Sequence, residues 1–322
     1  MTTHYDVFNG DADGILALLQ LRKEFPCEGA LLVTGVKRDI QLVKNVPLSG
    51  NLSLTVLDIS MEKNIPALLA HLEAGATVFY ADHHQSGDIP ESPNLDAHIH
   101  LEADTCTSLI IDRILGGRFH HWAIAAAYGD NLKAVANDLA ERAGLTKPEA
   151  SKLEQLGTLI NYNGYGSSVE DLHFHPAELY RLLSGYDEPF EVIADSSSPF
   201  HDLKAAYDND MAMADAVQPD YVSDHFEMYT LPNEKWSRRV SGVFGNALAT
   251  ANPNKAHAVL TLNYDGSYLV SLRAPLSNKQ GAGKICAEFE TGGGREAAAG
   301  INRLEHSHLD AFIKAVETYY AS

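Results

Sequence analysis

The sequence predicts an α/β fold: a mostly parallel sheet with flanking helices, then a smaller α+β domain, with a cleft between the two. Three observations predict it. Short apolar runs alternate with helix-periodic segments through the first half. Several of those runs end in aspartate. After about residue 220 the pattern changes to strand-like runs carrying a hairpin signal.

The elements follow in order. YDVF reads as a strand, and DGILALLQLRKEF as a helix with Ile15, Leu18, Leu19 and Arg22 at helical spacing. ALLVTG and LSLTVLDIS are further strand-like runs. NIPALLAHLEAG reads as a helix with Gly75 where a C-cap glycine belongs. ATVFYADHHQSG is a strand ending in charge. SLIIDRIL and HHWAIAAAYGDNLKAVANDLAERAG read as helical, with Trp122 and its apolar neighbours in the core. Alternation of this kind implies right-handed crossovers. Residues 151–187 read as more helices around an irregular NYNGYGSS. DSSSPF, residues 195–200, is the best linker signal, and the segment after it reads as a connecting helix. HFEMYTL, AHAVLTLNY and SYLVSLRAP read as strands, with Asp-Gly in NYDGSY marking a hairpin. AGKICAEFE and HLDAFIKAVETYY read as helices on that sheet. The expected division is a catalytic domain over 1–194, a linker and connecting helix over 195–219, and a smaller domain over 220–322.

Composition bounds the function. The chain has 322 residues, is 45% hydrophobic and carries a formal net charge of -19, so it reads as globular and lacks the basic footprint of a binder of long duplex DNA. A short anionic substrate remains open, because a bound cation inverts the local field. Cys27, Cys106 and Cys286 are scattered, without CxxC spacing, which argues against a disulfide framework or zinc ribbon. No apolar run approaches the roughly 20 residues of a membrane span, and MTTHYDVFNGD lacks the plan of a secretion signal. The expectation is a cytoplasmic protein with no membrane partner. A homodimer is compatible with this composition.

The acids at the ends of apolar runs carry the chemistry. Asp11 and Asp13 follow YDVFNG, Asp58 follows LSLTVL, Asp82 follows ATVFYA with His83 and His84 next, and Asp130 follows AIAAAYG. Ligands of open parallel sheets bind outside the carboxyl ends of strands, so these groups can converge. Taken singly, Asp11 or Asp13 reads equally well as a helix cap, Asp58 as a turn residue, His83–His84 as surface polarity and Asp130 as a cap. Taken together, converging carboxylates need cations, and Asp and His donors without thiolates suit Mn²⁺ or Mg²⁺.

GDADG, LDIS, ADHHQSG and AYGDN, in this order, resemble the four motifs of the DHH phosphoesterases, with Asp82-His83-His84 as the signature. GGGREAAAG, with VSLRAP upstream, resembles the DHH-associated domain. The resemblance covers nearly the whole chain. It implies a site for two Mn²⁺ ions, with Mg²⁺ as the alternative. Asp11 and Asp13 would each hold one ion and Asp58 would bridge them. His83 and Asp130 would complete the second ion's shell, with Asp82 in or just behind the first, and His84 would touch the substrate phosphate. Asp58, His83 and His84 would carry catalysis, and no side-chain nucleophile signature is present. Arg273, Gly292, Gly293, Gly294 and Arg295 would bind the other end of the substrate.

Three positions depart from the family pattern. Val7 stands where many members have a ligating histidine, and Asn9 where others have an acid, which leaves completion of the first ion's shell open. Arg295 stands where histidine is usual and retains the ability to clamp phosphate. The implied function is a divalent-metal-dependent phosphodiesterase that hydrolyses dinucleotides or very short oligonucleotides to mononucleotides. The alternatives are a nucleoside bisphosphate (pAp-type) phosphatase, a single-strand-specific exonuclease, or a non-catalytic nucleotide-binding protein with a decayed metal site. Lesser readings are exposed polar positions for HIH (98–100) and His120–His121, a base-stacking loop from Tyr162 and Tyr165, and a cleft-facing Lys37 and Arg38.

Overall fold

A short apolar run with half-buried polar positions forms β1, Thr3–Phe8, in the computed structural model, which describes residues 2–321. It leads into α1, Ala12–Glu24. Every residue of α1 from Ala12 to Leu21 is buried, so this helix is apolar all round rather than amphipathic. The chain continues through β2 (Leu31–Val33), β3 (Leu52–Leu57), α2 (Met61–Glu73), β4 (Thr77–Asp82) and β5 (Leu95–Ile99). The five strands pair in the order β2-β1-β3-β4-β5, and every pairing is parallel. Val7, Leu54, Val56, Val78 and Tyr80 form one core with Leu68, Leu72, Met61, Val43 and Val46.

The helical layer follows: α3 (Thr107–Ile114), α4 (His120–Gly129), α5 (Lys133–Arg142), α6 (Lys147–Asn163), α7 (Pro176–Ser184) and α8 (Pro189–Ala194). α1 packs against α3, α4, α6 and α7. The α4–α6 crossing is close because Gly157 faces it: a Cβ there would stand 1.9 Å from the carbonyl oxygen of Ala125. The long helical pattern expected from 120 to 144 is two helices. Asn131, at φ 64, turns the chain between them and leaves Asp130 as the C-cap of α4.

The chain divides into two compact units at Ala205/Ala206. That point lies inside α9, Pro199–Asp215. The serines of DSSSPF lie in the short connection between α8 and α9, where Ser198 Oγ donates to the carbonyl of Val192 and Ser197 to Asp195. The second unit contains β6 (Tyr221–Val222), β7 (Phe226–Leu231), α10 (Lys235–Ala251), β8 (Ala256–Leu262), β9 (Tyr268–Arg273), α11 (Ala282–Ala287), β10 (Gly292–Gly294), β11 (Ala298–Leu304) and α12 (Leu309–Tyr320). Its sheet runs β10-β11-β9-β8-β7-β6. β7 and β8 are parallel across the α10 crossover, and the other pairings are antiparallel. Phe226, Leu260, Leu272, Ile285, Ile301 and Phe312 lie in its core.

Candidate metal centre

The first unit gathers its acids at the carboxyl ends of β1, β3 and β4. Asp11 caps α1: its Oδ1 accepts from the N–H groups of Asp13 and Gly14 at 3.0 and 3.1 Å. The turn before it is tight. A Cβ on Gly10 would stand 1.9 Å from the carbonyl oxygen of Gly35, so only glycine lets the two loops touch.

Asp13 faces α3. That helix has Cys106 at its N-cap, without a side-chain capping bond. Asp13 supplies the missing acceptor, taking the N–H of Thr107 on Oδ2 and of Ser108 on Oδ1, each at 2.7 Å. Asp58 sits just past β3 with φ of 59, a left-handed conformation for a non-glycine residue. Its Oδ1 accepts the Thr107 hydroxyl at 3.1 Å. Burial, with Asp13 and Asp11 nearby, pushes the Asp58 carboxyl well above the usual carboxylate range.

His83 is the hub. Its Nδ1 lies 3.1 Å from the carbonyl oxygen of Thr105, which requires the proton on that nitrogen and leaves the Nε2 lone pair facing the acids. Nε2 stands 3.4 Å from Asp58 Oδ1, 3.8 Å from Asp13 Oδ2 and 4.0 Å from Asp130 Oδ2. Atoms that share one ion at about 2.1 Å stand roughly 3–4 Å apart. Asp58, His83 and His84 bring ligand atoms within 4.8 Å of one another, and Asp13 and Asp130 each reach within 4.0 Å of His83 Nε2, a carboxylate and imidazole donor set that suits Mn²⁺ or Mg²⁺. Asp130 adds the negative end of α4, where a cation is favoured.

His84 stands beside this group. Its side chain is 46% exposed, and Nδ1 donates to Asp82 Oδ1 at 2.7 Å. Burial lowers its basicity, but the hydrogen bond to Asp82 and the charge of Asp58 raise the imidazole pKa overall. Asp82 is thus behind the ligand atoms rather than among them.

Sequence reasoning gave Lys37 only a place near this region. Its ammonium is hydrogen-bonded to Asp11 Oδ2 and to Asn161 Oδ1 at 3.0 Å, and lies 3.9 Å from Asp130 Oδ1. Burial lowers the basicity of Lys37, but Asp11 outweighs it and raises the pKa above the usual lysine value. Conversely, burial pushes Asp11 up, and Lys37 brings it down to about 2. Asn9 is not directed at an ion: its Oδ1 accepts the Asp11 N–H at 3.2 Å, and its amide donates to the Lys37 carbonyl at 3.2 Å.

The remaining residues separate. Tyr162 is fully buried and shares a hydrogen bond with His173 at 2.9 Å, so it is a core residue and not a stacking surface. Tyr165 lies under the Lys37 ammonium at 5.7 Å. His98 belongs to β5 and pairs with Asp96, so HIH is the half-buried end of a strand rather than a run of exposed polar positions. His120 and His121 pair with Asp112 and Glu188. In the second unit, Gly292–Gly294 form β10 and Arg295 is exposed in the turn to β11. Arg273 holds its own unit together, donating to Asn246 at 2.6 Å and to the Gly242 carbonyl at 3.2 Å.

No family model matches the chain, and no curated protein matches it. Solved structures do. The chain is similar to RecJ from Thermus thermophilus in complex with Mn²⁺, at TM-score 0.64 and 18% identity over 99% of this chain and 52% of that one. It therefore spans about half the length of that RecJ. It is similar to a DHH domain from a protein described as a member of a family of ribosomal proteins, at TM-score 0.63 and 14% identity over 99% and 86% of the two chains. It is also similar to PggH from Vibrio cholerae, described as a pGpG-specific phosphodiesterase, at TM-score 0.55, 15% identity and 99% coverage of both chains. These likenesses establish the fold: the chain has the fold of the DHH-domain proteins.

Proposed function

We propose that this protein is a divalent-metal-dependent phosphodiesterase acting on dinucleotides or very short oligonucleotides and yielding mononucleotides. The observation that carries the reading is the convergence of Asp13, Asp58 and Asp130 on His83 Nε2 within 3.4–4.0 Å. The full-length likeness to PggH supports a short substrate, and so does the formal net charge of -19, which repels a long polyanion.

A divalent ion held by these residues would supply a nucleophile from water near neutral pH and would neutralise charge on the phosphate. The chain's own groups do the rest. Thr105 fixes the His83 tautomer, and α3 fixes Asp13 and, through Thr107, Asp58. Asp82 favours the imidazolium of His84, whose Nε2–H donates to a phosphate oxygen. The Lys37 ammonium adds a second fixed positive charge. In the second unit, the exposed Arg295 can take an anionic group, whereas the Gly292 N–H is already given to the Phe289 carbonyl at 2.8 Å.

The test is to incubate the protein with Mn²⁺ and a labelled series from dinucleotide to ten-mer, with Asp58→Ala alongside. Cleavage that falls steeply beyond a few nucleotides, and is absent in Asp58→Ala, supports the reading. Phosphate release from a nucleoside 3',5'-bisphosphate with dinucleotides left intact would replace it with a phosphatase. Efficient degradation of the ten-mer would replace it with a single-strand exonuclease.

A further inference from the structure

We infer that the Lys37 ammonium takes the place of a second divalent ion beside Asp11, so that the centre is built for one metal ion and one fixed organic cation. The inference rests on the reading of Asp13, Asp58, His83 and Asp130 as a metal site.

The two halves of the acidic cluster differ. On the His83 side an imidazole lone pair faces three carboxylates; among the described residues no lysine or arginine pairs with Asp13 or Asp58, and Asp130 lies 3.9 Å from the Lys37 ammonium through its other oxygen. On the Asp11 side the donors are fewer. Val7 is a fully buried aliphatic residue in the core under the sheet. Asn9 spends both ends of its amide on backbone groups. Asp11 Oδ1 is committed to two N–H groups of α1, and Oδ2 to the Lys37 ammonium. An incoming dication would meet one shared carboxylate and a resident positive charge.

Lys37 is also held where it is. Its backbone N–H donates to the Gly164 carbonyl at 2.8 Å, and its carbonyl accepts from Asn9 at 3.2 Å. Asn161 Oδ1 and the Tyr165 ring complete the surroundings of the ammonium. A swinging surface lysine has no such backbone clamps. The contact of Gly10 with Gly35 brings the loop that carries Lys37 to the loop that carries Asp11. An ammonium is a compact point charge with three donors, and it can neutralise a carboxylate and hold a phosphate oxygen as a monovalent ion would.

The experiment counts ions. Wild type, Lys37→Met and Lys37→Arg are loaded with Mn²⁺ and desalted; bound manganese is measured by mass spectrometry and its spectrum by EPR. Circular dichroism and thermal melting confirm that the variants are folded. The expected result is one Mn²⁺ per wild-type chain with a mononuclear six-line signal. Lys37→Arg retains one, and Lys37→Met gains a second with an exchange-coupled spectrum. Two coupled ions in the wild type would overturn the inference and leave the metal reading intact. A folded Lys37→Met that still holds one ion would overturn the claim that the ammonium excludes the second. No bound manganese in the wild type would overturn the metal reading itself.

Discussion

Thr107 donates its hydroxyl to Asp58 across 3.1 Å between two buried side chains, while its N–H holds Asp13 at 2.7 Å. One residue at the start of α3 thus steadies two of the carboxylates that face His83. Thr107→Val keeps the shape and the N–H but loses the hydroxyl. Outer-shell partners of this kind change metal affinity by roughly 10–100-fold. Titration calorimetry with Mn²⁺ should show weakening within that range, with the fold unchanged. Unaltered affinity would remove Thr107 from the centre.

Asp82 sets the charge of His84. The imidazole pKa is raised through its bond to Asp82. A raised imidazole stays protonated to higher pH and is neutralised as pH rises through its folded value. If the imidazolium donates to phosphate, activity declines on that alkaline limb. In Asp82→Asn the limb should move to lower pH, with a loss of roughly 10–100-fold near neutrality. A pH–rate profile from 5 to 9 checks both. An unmoved limb would assign it to another group.

Asp6 is a stability determinant away from the centre. Burial pushes its carboxyl up, but hydrogen bonds from His4 and Arg22 outweigh it and hold the pKa below the usual value. A lowered carboxylate stabilises the fold above its unfolded pKa, and that stabilisation is lost as pH falls through the folded one. Asp6→Asn leaves Arg22, whose side chain is 13% exposed, without its charge partner. The expected cost is about 3 kcal/mol at pH 7, shrinking below pH 4. Urea melts at both pH values measure it, and a pH-independent cost would mean that packing rather than charge is at work.

Much of the fold was legible because the sequence repeats one physical pattern. β1, β3 and β4 are apolar runs that end in acid, and parallel strands buried on both faces need such runs. The convergence of Asp13, Asp58, His83 and Asp130 was therefore readable from where the runs stop. β5 was not: Leu95–Ile99 carries Asp96 and His98 on a half-buried edge, where strand signals weaken. α10 was missed because serines and glycines interrupt KWSRRVSGVFGNALATA, although Val240 and Phe244 keep a helical spacing on its buried side. Thr105 and Thr107 left no readable signal, and Lys37 only its place after a strand-like run. They act through loop placement and backbone groups, which no periodicity encodes.

The backbone of Asp58 carries one last implication. A left-handed aspartate whose carboxyl is crowded by two others is a burden on the ion-free protein. The unfolded chain ionises that group near pH 4 and the folded chain resists, so the penalty grows as pH rises through this interval. Asparagine accepts the same backbone angles without charge. Asp58→Asn, stripped with chelator at pH 7, should melt several degrees above the similarly stripped parent, and the order should reverse once Mn²⁺ is restored. A scanning calorimeter would then display catalysis and robustness as opposing demands on a single side chain, with the ion as arbiter.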